Sequence, residues 1–173
     1  PSDLSPEAIR DIPPALTAGP DSPYLLRIPM APFLSLTAAM PAIGCAKRSL
    51  ELFEDRLFGR VMFGTTRTQS ARVPSQVLLA NLISRVDAAE ALMRVIAGRI
   101  SDHADGRANY SMQELLQQRL TIAHIVRQCR DIVRDVMASS GASAHYMDHE
   151  LQRVHRDVHM ICAHTVFDVD LIA

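Results

Sequence analysis

The sequence predicts an all-α protein, an up-down-up-down four-helix bundle preceded by a proline-rich arm. Four segments carry apolar residues at the three- and four-residue spacing of an amphipathic helix, and no segment shows the two-residue alternation of a strand. Short polar or glycine-containing connections join the segments, and such connections place consecutive helices antiparallel. The 173 residues, 48% of them hydrophobic and 21% charged, suit one globular domain.

An N-terminal arm and a single bundle divide the chain. Residues 1–30 hold seven of the ten prolines, and proline both fixes φ and lacks an N–H donor. This composition predicts an extended arm with at most one short helical turn. The remaining residues, 31–173, are expected to form the bundle.

The first bundle helix is predicted over residues 32–58. Pro41 falls inside the helical pattern and predicts a kink, and Gly59 or Gly64 is expected to end the helix. The stretch 28–46 carries no charge but contains several prolines, so we interpret it as a buried helix and not as a membrane span. The apolar positions predicted after the kink are Leu50, Phe53, Leu57 and Phe58.

Two more long helices follow. The second is predicted over residues 74–101, with one unbroken apolar stripe. The third is predicted from Ser111 to Ala138, because Ser111 and Glu114 have the spacing of a capping box. Each large side chain that such a stripe buries fully contributes about 1.5–3 kcal/mol. The predicted inward residues are Leu79, Leu82, Val86, Ala89, Met93, Ile96 and Ile100 in the second helix, and Met112, Leu115, Ile122, Val126, Cys129, Val133 and Val136 in the third.

The last helix is predicted over residues 148–166, after a turn in which Gly141 serves as a left-handed cap. At 100° per residue His164 lies beside the inward stripe, which predicts a half-buried imidazole able to exchange protons or donate a hydrogen bond near neutral pH. A structural histidine at the edge of the core explains the same spacing. The residues expected to face inward are Leu151, Val154, Val158 and Ile161.

Composition excludes several classes of partner. The formal net charge is −1 and aromatic residues make up 5% of the chain, so no nucleic-acid partner is expected. Three cysteines without a CxxC pair predict reduced thiols in a cytoplasmic protein. His155 and His159 have a spacing that can bind metal, but no HExxH motif accompanies them and no metal site is predicted.

The connection between the first two helices combines features of a phosphate site. Arg60, Gly64 and Arg67 supply cations and an accessible backbone just before a helix N-terminus, with two threonine hydroxyls among them. A solvated turn explains the same composition. No GxSxG, P-loop or GxGxxG motif occurs, so hydrolase and nucleoside-triphosphate-dependent functions have no support.

Three segments together resemble a known family. They are APFLSLTAAMPAIGCAKRSLELF, then RVMFG with the downstream Gln76, and SSGASAHYMDHELQRVHRDVHMICAH. The chain resembles the C-terminal helical domain of the acyl-CoA dehydrogenase fold, and within that fold it is most similar to flavin-dependent monooxygenases, the oxygenase components of two-component systems. The resemblance implies a homo-oligomer, a tetramer, assembled through the bundle. It also implies that the complete enzyme has a helical domain and a β-barrel besides this bundle, either N-terminal to it in a longer chain or in a separate subunit.

The resemblance further implies a flavin site. In the dehydrogenase relatives, the Arg and Phe of an RxxFG motif and a downstream Gln contact the flavin of a neighbouring subunit. The gap before the Gln is longer here than in the family pattern, and Met137 stands where a second Gln is expected, which leaves FAD and FMN both open. The implied cofactor-binding residues are Arg60, Phe63, Gly64, Gln76 and Gly141.

The catalytic residue that the resemblance implies is His164. Many acyl-CoA dehydrogenases carry a Glu base where this chain has Thr165, which argues against α,β-dehydrogenation by that route. Monooxygenase relatives have a His at the position of His164, near the flavin ring. There it would hydrogen-bond a C4a-hydroperoxyflavin, formed from reduced FAD or FMN and O₂, or deprotonate the substrate.

The implied function is hydroxylation of a small aromatic or amine substrate by a monooxygenase that receives reduced flavin from a separate flavin reductase. Two alternatives remain. An acyl-CoA dehydrogenase-like oxidoreductase with a displaced base would use a carboxylate such as Glu51 or Glu54 on the first helix. A non-catalytic helical module for oligomerisation would need none of these residues.

Overall fold

The computed structural model describes residues 21–168, apart from the side chain of Leu25. Five α-helices follow one another in this range, and the only strand-like pairing within it is one isolated bridge. The predicted all-α four-helix bundle is confirmed. The helices are α1 (Tyr24–Arg27), α2 (Met30–Gly59), α3 (Val73–Ala104), α4 (Met112–Ser140) and α5 (Glu150–Cys162).

The helices α2 and α4 form the centre of the bundle. They make the most extensive contact of any helix pair, and α3 and α5 each pack against both of them. No comparable packing joins α3 to α5 within the described range, so these two helices lie on opposite sides of the α2–α4 pair. With 13 residues against 30 in α2, α5 covers only part of the bundle's length.

The predicted core is largely confirmed. Every predicted position of α3 from Leu82 to Ile100 is buried, and Leu79 packs at the edge of the core. Phe58 and Met112 are exceptions, with 60% and 72% of their surface exposed. Each lies at a helix end, where the stripe has passed beyond the neighbouring helices.

The N-terminal part of the structure corrects one boundary. The extended arm was expected to reach residue 30, but α1 occupies Tyr24–Arg27 and α2 already begins at Met30. Packing on α3 holds α1 in place, and the Tyr24 hydroxyl shares a 2.9 Å hydrogen bond with the Ser101 hydroxyl. The rest of the predicted arm, residues 1–20, lies outside the described range.

Two other sequence features concern the long helices. The capping box of α4 is present, because Ser111 Oγ accepts from the Glu114 N–H at 3.2 Å and the Glu114 carboxylate accepts from the Ser111 N–H at 2.8 Å. Helix α2 continues through Pro41 as one element, and the kink there stays a prediction. No helix among residues 21–168 is long and apolar enough to cross a membrane.

Candidate functional site

The connection between α2 and α3 is a tight hairpin rather than an irregular loop. Val61 and Thr68 pair as an antiparallel bridge, and backbone hydrogen bonds of 2.9 Å flank the bridge on both sides. Gly64 turns the chain with φ of 73°, a region that glycine tolerates. As a result Phe63 stands fully exposed at the tip, where its ring is free to pack against a flat partner.

Gln76 ties the end of this hairpin segment to α3. A 3₁₀ turn, Gln69–Ala71, follows the hairpin, and Gln76 Nε2 donates a 2.9 Å hydrogen bond to the Ser70 carbonyl. The side chain of Gln76 is nevertheless exposed. It therefore orders the connection while remaining accessible to a ligand.

The structure brings Arg60 and Gly141 together, although they are far apart in the sequence. A Cβ placed on Gly141 would lie 3.3 Å from Nη1 of Arg60 and 3.5 Å from Nη2 of Arg56. Gly141 ends α4 with φ of 74°, as predicted, but its ψ of 179° is extended. The prediction of a left-handed cap is therefore wrong, because that conformation needs a ψ of about +30 to +60°. The φ/ψ region that Gly141 occupies instead is open essentially to glycine alone. The missing side chain leaves room for the two guanidinium groups.

Arg56 is the residue at this end of the bundle that the sequence interpretation missed. It lies in the last turn of α2, four residues before Arg60, which follows the end of that helix, and both side chains reach Gly141. The sequence signal was present, because two arginines at this spacing repel each other unless something else compensates their charge.

His164 does not lie on the last helix. Helix α5 ends at Cys162, and the chain turns through Ala163 into a 3₁₀ turn, Thr165–Phe167. His164 caps that turn, with Nδ1 accepting the Val166 N–H at 3.2 Å. The imidazole is exposed rather than half-buried. The predicted position is wrong because helical periodicity was extended past the point where the helix stops.

The cap fixes the tautomer that His164 adopts when neutral. Because Nδ1 accepts a hydrogen bond, it carries no proton, and the proton of the neutral ring must sit on Nε2. The ring then offers one N–H donor at Nε2. Action as a base at Nε2 would require the other tautomer and would break the cap, so the geometry favours donation over proton abstraction.

His164 lines an apolar groove of about 220 Å³ at the corner between α2 and the end of α5. The other lining residues are Ala38, Met160, Ile161 and Phe167, and none of the groove's lining residues is a carboxylate. The Phe167 ring centroid lies 6.2 Å from that of the imidazole. The sequence interpretation missed Ala38, Met160 and Phe167, because apolar residues at helix ends carry no distinct signal.

The carboxylates considered as displaced bases lie elsewhere. Glu51 accepts a 2.7 Å hydrogen bond from Arg48 Nη1, and it lies roughly 20 Å along the α2 axis from Ala38. Glu54 is exposed and lies still further toward the hairpin. Neither carboxylate is near the groove, which disfavours a dehydrogenase that would use one of them there.

The groove and the hairpin occupy different parts of the bundle. Ala38 marks the groove on α2, and Gly59 marks the start of the hairpin, roughly 30 Å further along the same helix axis. The predicted site residues therefore form two groups, with His164 in one and the five predicted cofactor-binding residues in the other.

Residues 36–169 of the chain match the family model described as the C-terminal domain of acyl-CoA dehydrogenase. The chain belongs to the acyl-CoA dehydrogenase C-terminal domain family. The resemblance and the expected fold are thereby confirmed. Thr165, at the position where the resemblance predicts a glutamate base in many dehydrogenases, is exposed, as is the preceding His164.

Two similar proteins match this chain over only part of their own length. The p-hydroxyphenylacetate 3-hydroxylase oxygenase component of Acinetobacter baumannii is 29% identical over 154 residues, which cover 89% of this chain and 36% of that protein. The structure of XiaF from Streptomyces sp. in complex with FADH2 and glycerol has a TM-score of 0.79 and 20% identity, covering 87% of this chain and 38% of XiaF. The structural likeness shows a shared fold. The family domain described here thus spans little more than a third of the length of either relative.

The other reactive side chains form no metal cluster within the described residues. The His155 and His159 rings lie 4.3 Å apart, centroid to centroid, and His159 Nδ1 is hydrogen-bonded to the His155 carbonyl. Cys129 is a buried free thiol, and burial raises its pKa to about 12, which keeps it protonated and unreactive.

Proposed function

We propose that this chain is the helical part of a reduced-flavin-dependent monooxygenase that hydroxylates a small aromatic or amine substrate. The observation that carries the proposal is the groove at His164, where the imidazole, its Nδ1 accepting the Val166 N–H, stands beside an apolar lining without a carboxylate. Such a lining accepts a small aromatic ring, and it offers no base for dehydrogenation. Similarity to a p-hydroxyphenylacetate 3-hydroxylase oxygenase component supports the same reaction class.

The residues at the hairpin end of the bundle suit the binding of a flavin. At the hairpin end, Gly141 leaves the space that a side chain would fill against a guanidinium group, and Phe63 presents an exposed ring for stacking. When bound, reduced FAD or FMN would react with O₂ and supply the oxygen atom that is transferred. The residues proposed to hold it are Arg60, Phe63, Gly64, Gln76 and Gly141.

In this proposal His164 positions the reacting groups by donating a hydrogen bond from Nε2. The Val166 N–H holds the ring in the tautomer that can donate. His164 is exposed in this chain, so water would be excluded from the groove only once another part of the enzyme covers its apolar lining.

The separation of the two groups supports sites shared between subunits. Roughly 30 Å along α2 is well beyond the span from the ring to the phosphates of one flavin. The hairpin of one subunit would therefore hold a flavin whose ring lies at the groove of another, in a homo-oligomer, a tetramer. The remaining partners are the N-terminal helical and β-barrel parts and a separate flavin reductase, and a cytoplasmic location stays a prediction.

The reaction class can be tested with the natural polypeptide that contains this chain. We would mix it anaerobically with reduced FAD or FMN, add oxygenated buffer with a panel of phenols and arylamines, and quantify hydroxylated product by mass spectrometry. Product that incorporates ¹⁸O from ¹⁸O₂ is expected. Absence of any hydroxylated product, together with flavin reduction by an acyl-CoA, would contradict the proposal.

The role of His164 has its own readout. His164→Ala is expected to lower the yield of product per flavin oxidised by about tenfold or more, with hydrogen peroxide released instead, because a positioned donor in a site closed by the assembled enzyme would contribute at least that much. The matched control is His159→Ala, an exposed histidine on α5 outside the groove, which should leave the yield unchanged. Equal yields from both variants would remove His164 from the proposal.

A further inference from the structure

The hairpin end of the bundle carries two arginines that form no ion pair with any residue of the described range 21–168. Arg56, in the last turn of α2, and Arg60, the residue after that helix, both reach Gly141, with side-chain nitrogens 3.5 Å and 3.3 Å from the Cβ position there. Two positive charges thus stand side by side and uncompensated.

Arg56 is also partly withdrawn from water. Its Nε is buried without a hydrogen-bond partner, and the side chain as a whole is half-buried. Burial, together with the positive charge of Arg60, lowers the pKa of Arg56. An unpaired buried donor and a like-charge neighbour are both unfavourable in the isolated chain, and an anion bound between the two guanidinium groups would relieve both.

A third arginine on the same helix shows the contrast. Arg48 donates two hydrogen bonds to Glu150, at 2.8 Å and 2.9 Å, and a third to Glu51 at 2.7 Å. The charge of Arg48 is therefore neutralised where this residue joins α2 to α5. At the hairpin end, no carboxylate among the described residues pairs with Arg56 or Arg60, and the adjacent Gly141 keeps the space beside them open.

We propose that Arg56 and Arg60 form a two-arginine clamp for the phosphate end of a flavin nucleotide, and that Arg56 is a cofactor-binding residue. The inference rests on the proposed function and adds a second cation to the one that the RxxFG motif supplies. The phosphate of FMN and the pyrophosphate of FAD each carry about two negative charges at neutral pH. Two guanidinium groups match that charge and offer paired N–H donors to the oxygens.

The clamp is tested by anaerobic equilibrium binding of reduced FAD, FMN and riboflavin to the natural polypeptide. Riboflavin has the same ring but no phosphate. Arg56→Gln is expected to weaken binding of a flavin nucleotide about tenfold, as loss of one charge-assisted hydrogen bond does, and to reduce its salt dependence. Riboflavin affinity should not change. The nucleotide that loses affinity, FAD or FMN, is the one that the clamp holds.

The matched control is Arg119→Gln. Arg119 takes part in no ion pair within the described range and lies on α4, roughly 30 Å along the helix axis from Gly141. Arg119→Gln removes the same charge and should leave the affinities for FAD, FMN and riboflavin unchanged. Arg56→Lys keeps the charge but loses the forked donors, so its affinity for the nucleotide should lie between those of wild type and Arg56→Gln. It replaces Arg56→Gln in the binding test if that variant does not fold. Nucleotide binding unaffected by Arg56 substitution, or riboflavin binding weakened equally, would overturn the clamp.

Inorganic pyrophosphate separates failure of the clamp from failure of the proposed function. If the protein binds no flavin, calorimetric titration with pyrophosphate still reports on the two arginines. Binding that is lost in Arg56→Gln and Arg60→Gln but kept in Arg119→Gln would support an anion site and reject only the flavin assignment. No pyrophosphate binding by such a protein would overturn the clamp itself.

Discussion

At the scale of single residues, Gly141 has a backbone conformation that only glycine adopts without strain. With φ of 74° and ψ of 179°, it lies in a region where a side chain costs about 1–3 kcal/mol. Gly141→Ala should lower the free energy of unfolding in urea by that amount. The control is Gly98→Ala inside α3, where a Cβ meets nothing within 4 Å and alanine favours the helix by about 0.5–1 kcal/mol. Equal effects of the two substitutions would contradict the strain argument.

Single residues also mark the limits of sequence interpretation. The resemblance singled out His164, but its position outside the helix and its exposure could not be predicted. Periodicity does not show that α5 ends at Cys162. The tautomer became clear only once the Val166 N–H was seen at Nδ1. Arg56 was overlooked because a charged residue beside the apolar stripe of an amphipathic helix has an ordinary explanation in solvation.

At the scale of helices, the ion pair of Arg48 with Glu150 joins α2 to α5 in addition to their packing. Hydrogen bonds from Arg48 lower the pKa of Glu150 below its ordinary 4.5. The ionised carboxylate therefore stabilises the fold at neutral pH, and this contribution is lost as pH falls through the lowered pKa. Glu150→Gln should reduce the free energy of unfolding at pH 7, and its difference from wild type should disappear below that pKa.

The control for Glu150→Gln is Glu54→Gln, an exposed carboxylate on α2 without an ion pair in the described range. Urea unfolding at a series of pH values gives the comparison. The free energy of unfolding of Glu54→Gln should equal that of wild type at every pH. A Glu150→Gln difference that persists unchanged at low pH would show that the residue acts through packing and not through its charge.

Helices were the most predictable level of this molecule. The stripe of α3 and the capping box of α4 follow from spacing alone, since both depend on residues within a few positions of one another. Helix ends were less predictable. The hairpin bridge between Val61 and Thr68 depends on backbone pairing across a turn, and its polar sequence shows no strand alternation.

At the scale of the whole molecule, the fold class was predictable and the arrangement of the site was not. Arg60 and Gly141 meet because α2 and α4 run parallel in contact and end at the same side of the bundle. The distance between this end and the groove at Ala38 follows from the length of α2. That distance is the physical basis for proposing that each flavin is shared by two subunits.

The central claim is that the groove of one subunit and the hairpin of another complete one flavin site, and subunit mixing tests it most directly. His164→Ala and Arg60→Gln chains would be co-expressed with different tags, purified through both tags, and assayed for hydroxylation at a flavin concentration that leaves Arg60→Gln nearly inactive. The control pairs His164→Ala with the double variant His164→Ala and Arg60→Gln. The mixed oligomer is expected to hydroxylate substrate well above the rate of either single variant alone, while the control oligomer stays inactive. A mixed oligomer no more active than either single variant would contradict the central claim.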